Sequence, residues 1–361
     1  MNPDRPTLAN WRTAPWSRWA FHHVRELIPS ADIPSDPRHI GDLPAAPRKL
    51  ELGGFLESTQ TDGMAVVHRG RLVFEHYANG MSEETPHILM SVTKSLLGLL
   101  FGSVGLDPGT PVTQVVPELK GTAYAGATLR HLLDMRAGVA FDEDYLAASG
   151  PIVEYRKATG WNPLAPGEAA SDLHSFYSVL TKADGRHGGR FHYVSPNSDL
   201  LGWLIERATG ERYADLMSGR LWKSIGAERS AYITVDRLGA PRTAGGMCVT
   251  LRDLARVGQW MIESPSPWLD DIEQSGDRAA WDAGSLAAYF PGLPIHYRSQ
   301  WYVLHGDTPL VFALGIHGQN LFVDRARQLV VAKLSSQALP LDAGRIALTM
   351  QQVLRLRDAL A

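Results

Sequence analysis

Strand-like patterning is confined to the two ends of this 361-residue chain. Near the start, Met64 to Tyr77 reads MAVVHRGRLVFEHY, two β-branched or aromatic runs around Arg69-Gly70-Arg71, and predicts a hairpin. Near the end, QWYVLH, LVFALGIH, NLFVD and QLVVAKLSS repeat the signal, with a turn at Asp324-Arg325-Ala326-Arg327. Helical signals dominate between them: Thr128 before LRHLLDM, Ser171 before DLHSFYSVL, Asn197 to Thr209 closed by Gly210, and Thr250 before LRDLARVGQWMIE. Strands at both ends of a helical middle imply one sheet assembled from the two ends. The expected fold is α/β (α+β), an antiparallel sheet from residues 1–84 and 270–361 flanked by helices, with a mostly helical region, 85–269, inserted between. The lead-in up to Pro47 should carry a short helix near Trp19 to Leu27, and a last helix should run from Ala343 to Leu360. A site is expected in the cleft between the two regions.

Composition removes several function classes. A formal net charge of -3 and the absence of a dense Lys/Arg run give no footprint for nucleic acid or an anionic membrane. A single cysteine, Cys248, rules out an intramolecular disulfide and is compatible with a reducing cytoplasm. The start, MNPDRPTLANWRTAPW, does not read as a secretory signal, so a cytoplasmic protein is expected. No His-Glu-x-x-His, P-loop or dinucleotide fingerprint occurs, so neither a metal nor another cofactor is expected. No Gly-x-Ser-x-Gly pentapeptide is present, which removes the α/β-hydrolase reading.

The stretch LMSVTKSLLGLL sets Ser91 and Lys94 one helical turn apart at the mouth of an apolar helix. A lysine among leucines costs desolvation, because burial disfavours its charged form. On one helix face, a buried lysine can take the proton of a serine nucleophile. Ser-x-x-Lys is short, and a snorkelling surface lysine is the plain alternative. A working site also needs a second proton-handling group from the helical region and an oxyanion donor from a strand edge. FHYVSPN, residues 191–197, supplies candidates for the first.

The order Ser91-Val92-Thr93-Lys94, LRHLLDMRAGV, a tyrosine loop closing on IERATG, and AGGMCVTLRDLARVG resembles the penicillin-recognising serine hydrolases of the class C β-lactamase and family VIII esterase type. Within them it is most similar to the 6-aminohexanoate-dimer hydrolases, from TLANWRTAPWSRWAF through FDEDY to GIHGQNLFVD and KLSS. The resemblance implies Ser91 as acylating nucleophile, Lys94 as its base, and Tyr193 as a phenol, acidified by the lysine, that relays the proton. It implies an oxyanion hole from the backbone N–H groups of Ser91 and Ile316, and Tyr145 at the rim. Trp301 and Tyr302 border the proposed site, and Arg156, Ala244 and His317 complete the expected substrate-binding set.

Several departures bear on substrate. Asn197 lies four residues after Tyr193, and Ser195-Pro196-Asn197 makes Ser195 a rival for the relay. Gly315-Ile316-His317-Gly318 stands where β-lactamases and penicillin-binding proteins carry Lys-Thr-Gly, which argues against a β-lactam carboxylate. Arg156 takes the place of an acidic residue that can pair with a substrate ammonium, although Glu154 could compensate, and Ala244 replaces a polar residue. The expected activity is therefore a serine amidase or carboxylesterase for a small molecule, stronger on esters than on the nylon dimer. The alternatives are a β-lactamase or D-amino-acid peptidase-like activity, acyl transfer, or a non-catalytic binding module; a homodimer is compatible with any of them.

Overall fold

The computed structural model describes residues 5–360. Its strands are β1 (Ser30–Ile33), β2 (Thr61–His68), β3 (Arg71–Tyr77), β4 (His87–Ile88), β5 (Ala231–Thr234), β6 (Met247–Val249), β7 (Ile295–Arg298), β8 (Trp301–Leu304), β9 (Leu310–Gly315), β10 (Gln319–Asp324) and β11 (Leu329–Ser335). The helices that concern the site are α1 (Val92–Val104), α2 (Pro151–Ala158), α3 (Ser195–Thr209), α4 (Leu251–Glu263) and α5 (Ala343–Ala359). The two ends of the chain meet in one antiparallel sheet, ordered β3-β2-β11-β10-β9-β8-β7, as the sequence pattern implies.

The joint between the ends is β2 against β11, with Val66 opposite Val331 and Ala65 opposite Ala332. Side chains alternate across it. Ala65 and Val67 enter the core shared with the helical region, while Met64 and Val66 enter a second core that α5 closes with Met350, Val353 and Leu356. With both faces covered, the strand reads as a continuous apolar run. Burying each of the Val, Leu and Met side chains contributes about 1.5–3 kcal/mol, and Ala65 less.

Three details depart from the sequence reading. Helix α4, grouped there with the helical region, packs on β2, β10 and β11, because Leu251, Leu254, Val257 and Met261 form one apolar stripe that fits the sheet. A second sheet, β1-β5-β6-β4, runs partly through the region expected to be helical. Its strands span four, two, four and three residues in chain order, too few to display a period. The helix expected over Trp19–Leu27 is two pieces, Ser17–Ala20 and a 3-10 turn at Val24–Glu26, separated where Phe21 turns into the core. Among the described residues, no helix is long and apolar enough to cross a membrane.

Candidate active site

The small sheet aims the serine. Strand β4 pairs with β6, Ile88 N–H donates to Phe21 O at 2.8 Å, and Leu89 N–H donates to Met247 O at 2.8 Å. Ser91 follows two residues later at the N-cap of α1, whose residues Val92 to Phe101 are all buried. Met90, between them, is left-handed at φ 46°, a strained conformation for methionine. The end of β9 lies against this segment because Gly315 has no side chain: a Cβ there would stand 2.6 Å from Leu89 O and 3.2 Å from Met90 Cβ. Ile316, the next residue, lines the same pocket as Ser91.

Lys94 is 1% exposed. Its Nζ bonds Ser91 Oγ at 2.9 Å, Ser195 Oγ at 3.1 Å and Ala244 O at 2.6 Å, and lies 4.9 Å from the centre of the Tyr193 ring. Burial pulls its pKa down to about 7; Glu143 and Asp199 oppose the shift and Arg242 adds to it. Near neutral pH much of Lys94 is therefore an uncharged amine that can accept the Ser91 proton. The resemblance implies a phenol acidified by this lysine, but here burial dominates and holds the Tyr193 phenol above its ordinary value, while its hydrogen bond with Ser91 acts in the opposite sense. With Lys94 neutral, the remaining acidifying charge, Arg242, is outweighed by burial and by Glu143, so Tyr193 rests as a proton donor.

Sequence reasoning passed over Glu143, although it is the middle carboxylate of the quoted FDEDY. Its carboxylate accepts from Ser195 N–H at 2.9 Å and from Ser195 Oγ at 2.5 Å, so the Ser195 hydroxyl bridges Glu143 and Lys94. Behind them, Arg242, Asp199 and the Tyr155 phenol form a buried hydrogen-bonded ion cluster. Asp199 also accepts from Ala244 N–H at 2.7 Å, which turns the Ala244 carbonyl toward Lys94. Ala244 thus enters the site through its backbone. No local sequence signal marks these long-range partners.

The inner pocket at Ser91, about 30 Å³, brings together Ser91, Tyr145, Arg156, Ala244 and Ile316 from the expected set, with Glu143 and Ser195. An outer cavity of about 290 Å³ shares Arg12, Tyr145, Arg156 and Ile316 with it and adds His317. Tyr302 lies beside the Tyr193 phenol instead, where its own ionisation is suppressed by burial and by that contact. Trp301 is not in the site: neighbours on a strand face opposite ways, and it is fully buried in the core on the other face of the sheet. Asn197 also points inward, accepting from Tyr124 OH at 2.9 Å. Glu154 does not compensate for Arg156, because it pairs with Lys157 at 3.1 Å.

The β-lactamase family profile matches residues 52–354. A 6-aminohexanoate-dimer hydrolase of Paenarthrobacter ureafaciens is 36% identical over 353 residues, covering 92% of this chain and 88% of that protein. A solved structure from Bacillus anthracis, described as a prospective 6-aminohexanoate-dimer hydrolase, superposes with TM-score 0.88 at 26% identity, covering 99% of this chain and 98% of that one. A D-stereospecific amidohydrolase from a Streptomyces species shares the fold, with TM-score 0.61 at 16% identity over 82% of this chain and 98% of that one. The chain belongs to the β-lactamase family and is a serine hydrolase with 6-aminohexanoate-dimer hydrolases among its relatives.

Proposed function

We propose that this protein hydrolyses carboxylic esters and linear amides through an acyl-enzyme, and turns over esters faster than the 6-aminohexanoate dimer. Ser91 Oγ attacks the substrate carbonyl as neutral Lys94 takes its proton. The backbone N–H groups of Ser91 and Ile316 receive the developing oxyanion. Tyr193, kept protonated by its burial, gives a proton to the leaving amine or alkoxide. Water then attacks the acyl carbon, the Ser91–acyl bond breaks, and Ser91 recovers its proton. The inner pocket holds about one water, so the acyl group parts its walls on entry.

The observation that supports the ester preference is Arg156, buried and facing the pocket. An ammonium-ended acyl chain would meet a cation there. The buried Cys248 asks for no oxidising compartment, and the reading is of a cytoplasmic enzyme for a small molecule. Side-by-side hydrolysis of the 6-aminohexanoate dimer and 4-nitrophenyl butyrate, by wild type and Ser91→Ala, tests the assignment. Ester turnover lost with Ser91, and little dimer cleavage, is expected. Serine-dependent dimer cleavage at a comparable rate would overturn the preference, and ester turnover undiminished in Ser91→Ala would overturn the mechanism.

A further inference from the structure

Two guanidinium groups stand where the inner pocket meets the outer cavity. Arg12 and Arg156 line both spaces. Neighbouring cations are matched: Lys157 pairs with Glu154 and Glu168, and Arg242 with Asp199. Among the described residues, neither Arg12 nor Arg156 has a carboxylate partner. Arg12 donates to the Asn162 side-chain oxygen at 2.6 Å and packs 5.6 and 5.9 Å from the ring centres of Trp11 and Trp161. Among the described residues, its buried Nε has no hydrogen-bond acceptor. Arg156 is 7% exposed and reaches only backbone oxygens, Asp144 O at 3.2 Å and Ala147 O at 3.4 Å. Glu143 shares the inner pocket and its charge favours the Arg156 guanidinium from a distance, but it forms no ion pair with Arg156 and its two oxygens are hydrogen-bonded to Ser195.

Two like charges held together out of water are costly unless an anion joins them. The strain is visible in Arg12, whose pKa is driven down to about 9 by burial and then by Arg156 and Arg242. Arginine forks match a carboxylate in geometry as well as charge. Tyr193 lines neither space; with Tyr193 as the proposed leaving-group donor, the leaving group would lie on its side and the acyl chain would extend toward the arginines.

We propose that Arg12 and Arg156 form a carboxylate subsite for the far end of the acyl group, so that the substrates are half-esters or half-amides of short dicarboxylic acids. This rests on the acyl-enzyme reading above. Acylation joins Ser91 Oγ to one carbonyl of the diacid and releases an alcohol or amine; water then cleaves that bond and releases the free diacid.

The test uses three 4-nitrophenyl esters of matched length, ending in a carboxylate (adipate half-ester), a methyl ester (methyl adipate) or an ammonium (6-aminohexanoate). Each rate is corrected with Ser91→Ala. Wild type should prefer the carboxylate over the methyl ester in kcat/KM by about tenfold or more, mainly through KM, with the ammonium slowest. Arg156→Ala and Arg12→Gln should each shrink the carboxylate-to-methyl ratio severalfold, and Arg156→Lys should restore much of it. Equal rates for all three esters, or ratios unmoved by these substitutions, would overturn the subsite while leaving the hydrolase intact. No Ser91-dependent turnover of any ester would overturn the hydrolase reading itself.

Discussion

Two lysines in this protein look alike by every local measure. Lys94 and Lys333 are each 1% exposed, each is pulled by burial to a pKa of about 7, and each bonds a serine hydroxyl, Ser91 at 2.9 Å and Ser335 at 2.5 Å. Their surroundings differ. Lys333 lies within β11, donates to Gly318 O at 3.3 Å and sits 5.9 Å from the centre of the Phe55 ring. Ser335 beside it is locked to Gln319 through both its backbone N–H and its carbonyl. Lys94 instead touches a serine that opens onto a pocket lined also by Ile316, the proposed oxyanion donor, and lies beside a phenol and a carboxylate-bridged second serine. A softened lysine next to a serine is therefore not a site. Access, an oxyanion donor and a second proton carrier make it one.

Substitutions can break this comparison. Lys94→Ala should cost the largest factor, about 10²–10⁴ in kcat for ester hydrolysis, with the fold retained as read by circular dichroism. Tyr193→Phe should come next, at about 10²-fold, and should weigh more on amides than on activated esters, whose leaving groups need less protonation. Ser195→Ala should cost less than Tyr193→Phe; a greater loss would hand the relay to Ser195 and its Glu143 partner. The uncharged amine is the active form, so kcat/KM should rise with pH through about 7 and level off above it. Lys333 changes charge over the same interval. Lys333→Met should leave that profile in place, with rates within about twofold at 25 °C.

How much of this was legible beforehand follows from how local each signal is. The sheet shared by the two ends showed in the strand patterns flanking a helical middle, and the Ser91–Lys94 pair showed because residues three apart share a helix face. The small sheet that aims Ser91 was hidden, since β4 has only two residues. Glu143, Arg12 and the Asp199–Arg242 pair were hidden for another reason: their partners come from distant segments, and no spacing rule links Arg12 to Arg156 or Glu143 to Ser195. Naming Trp301 together with Tyr302 was avoidable, because strand alternation allows only one of two neighbours to face the Tyr193 side.

The central claim is that Lys94, and not Lys333, activates a serine. Acyl trapping with 4-nitrophenyl acetate, followed by rapid acid quench, intact mass and peptide mapping, tests it directly in wild type, Lys94→Ala and Lys333→Met. One acetyl group on Ser91 in wild type and Lys333→Met, with none formed on the same timescale in Lys94→Ala, is the predicted result. Label on Ser335, or undiminished acylation of Ser91 in Lys94→Ala, would contradict it.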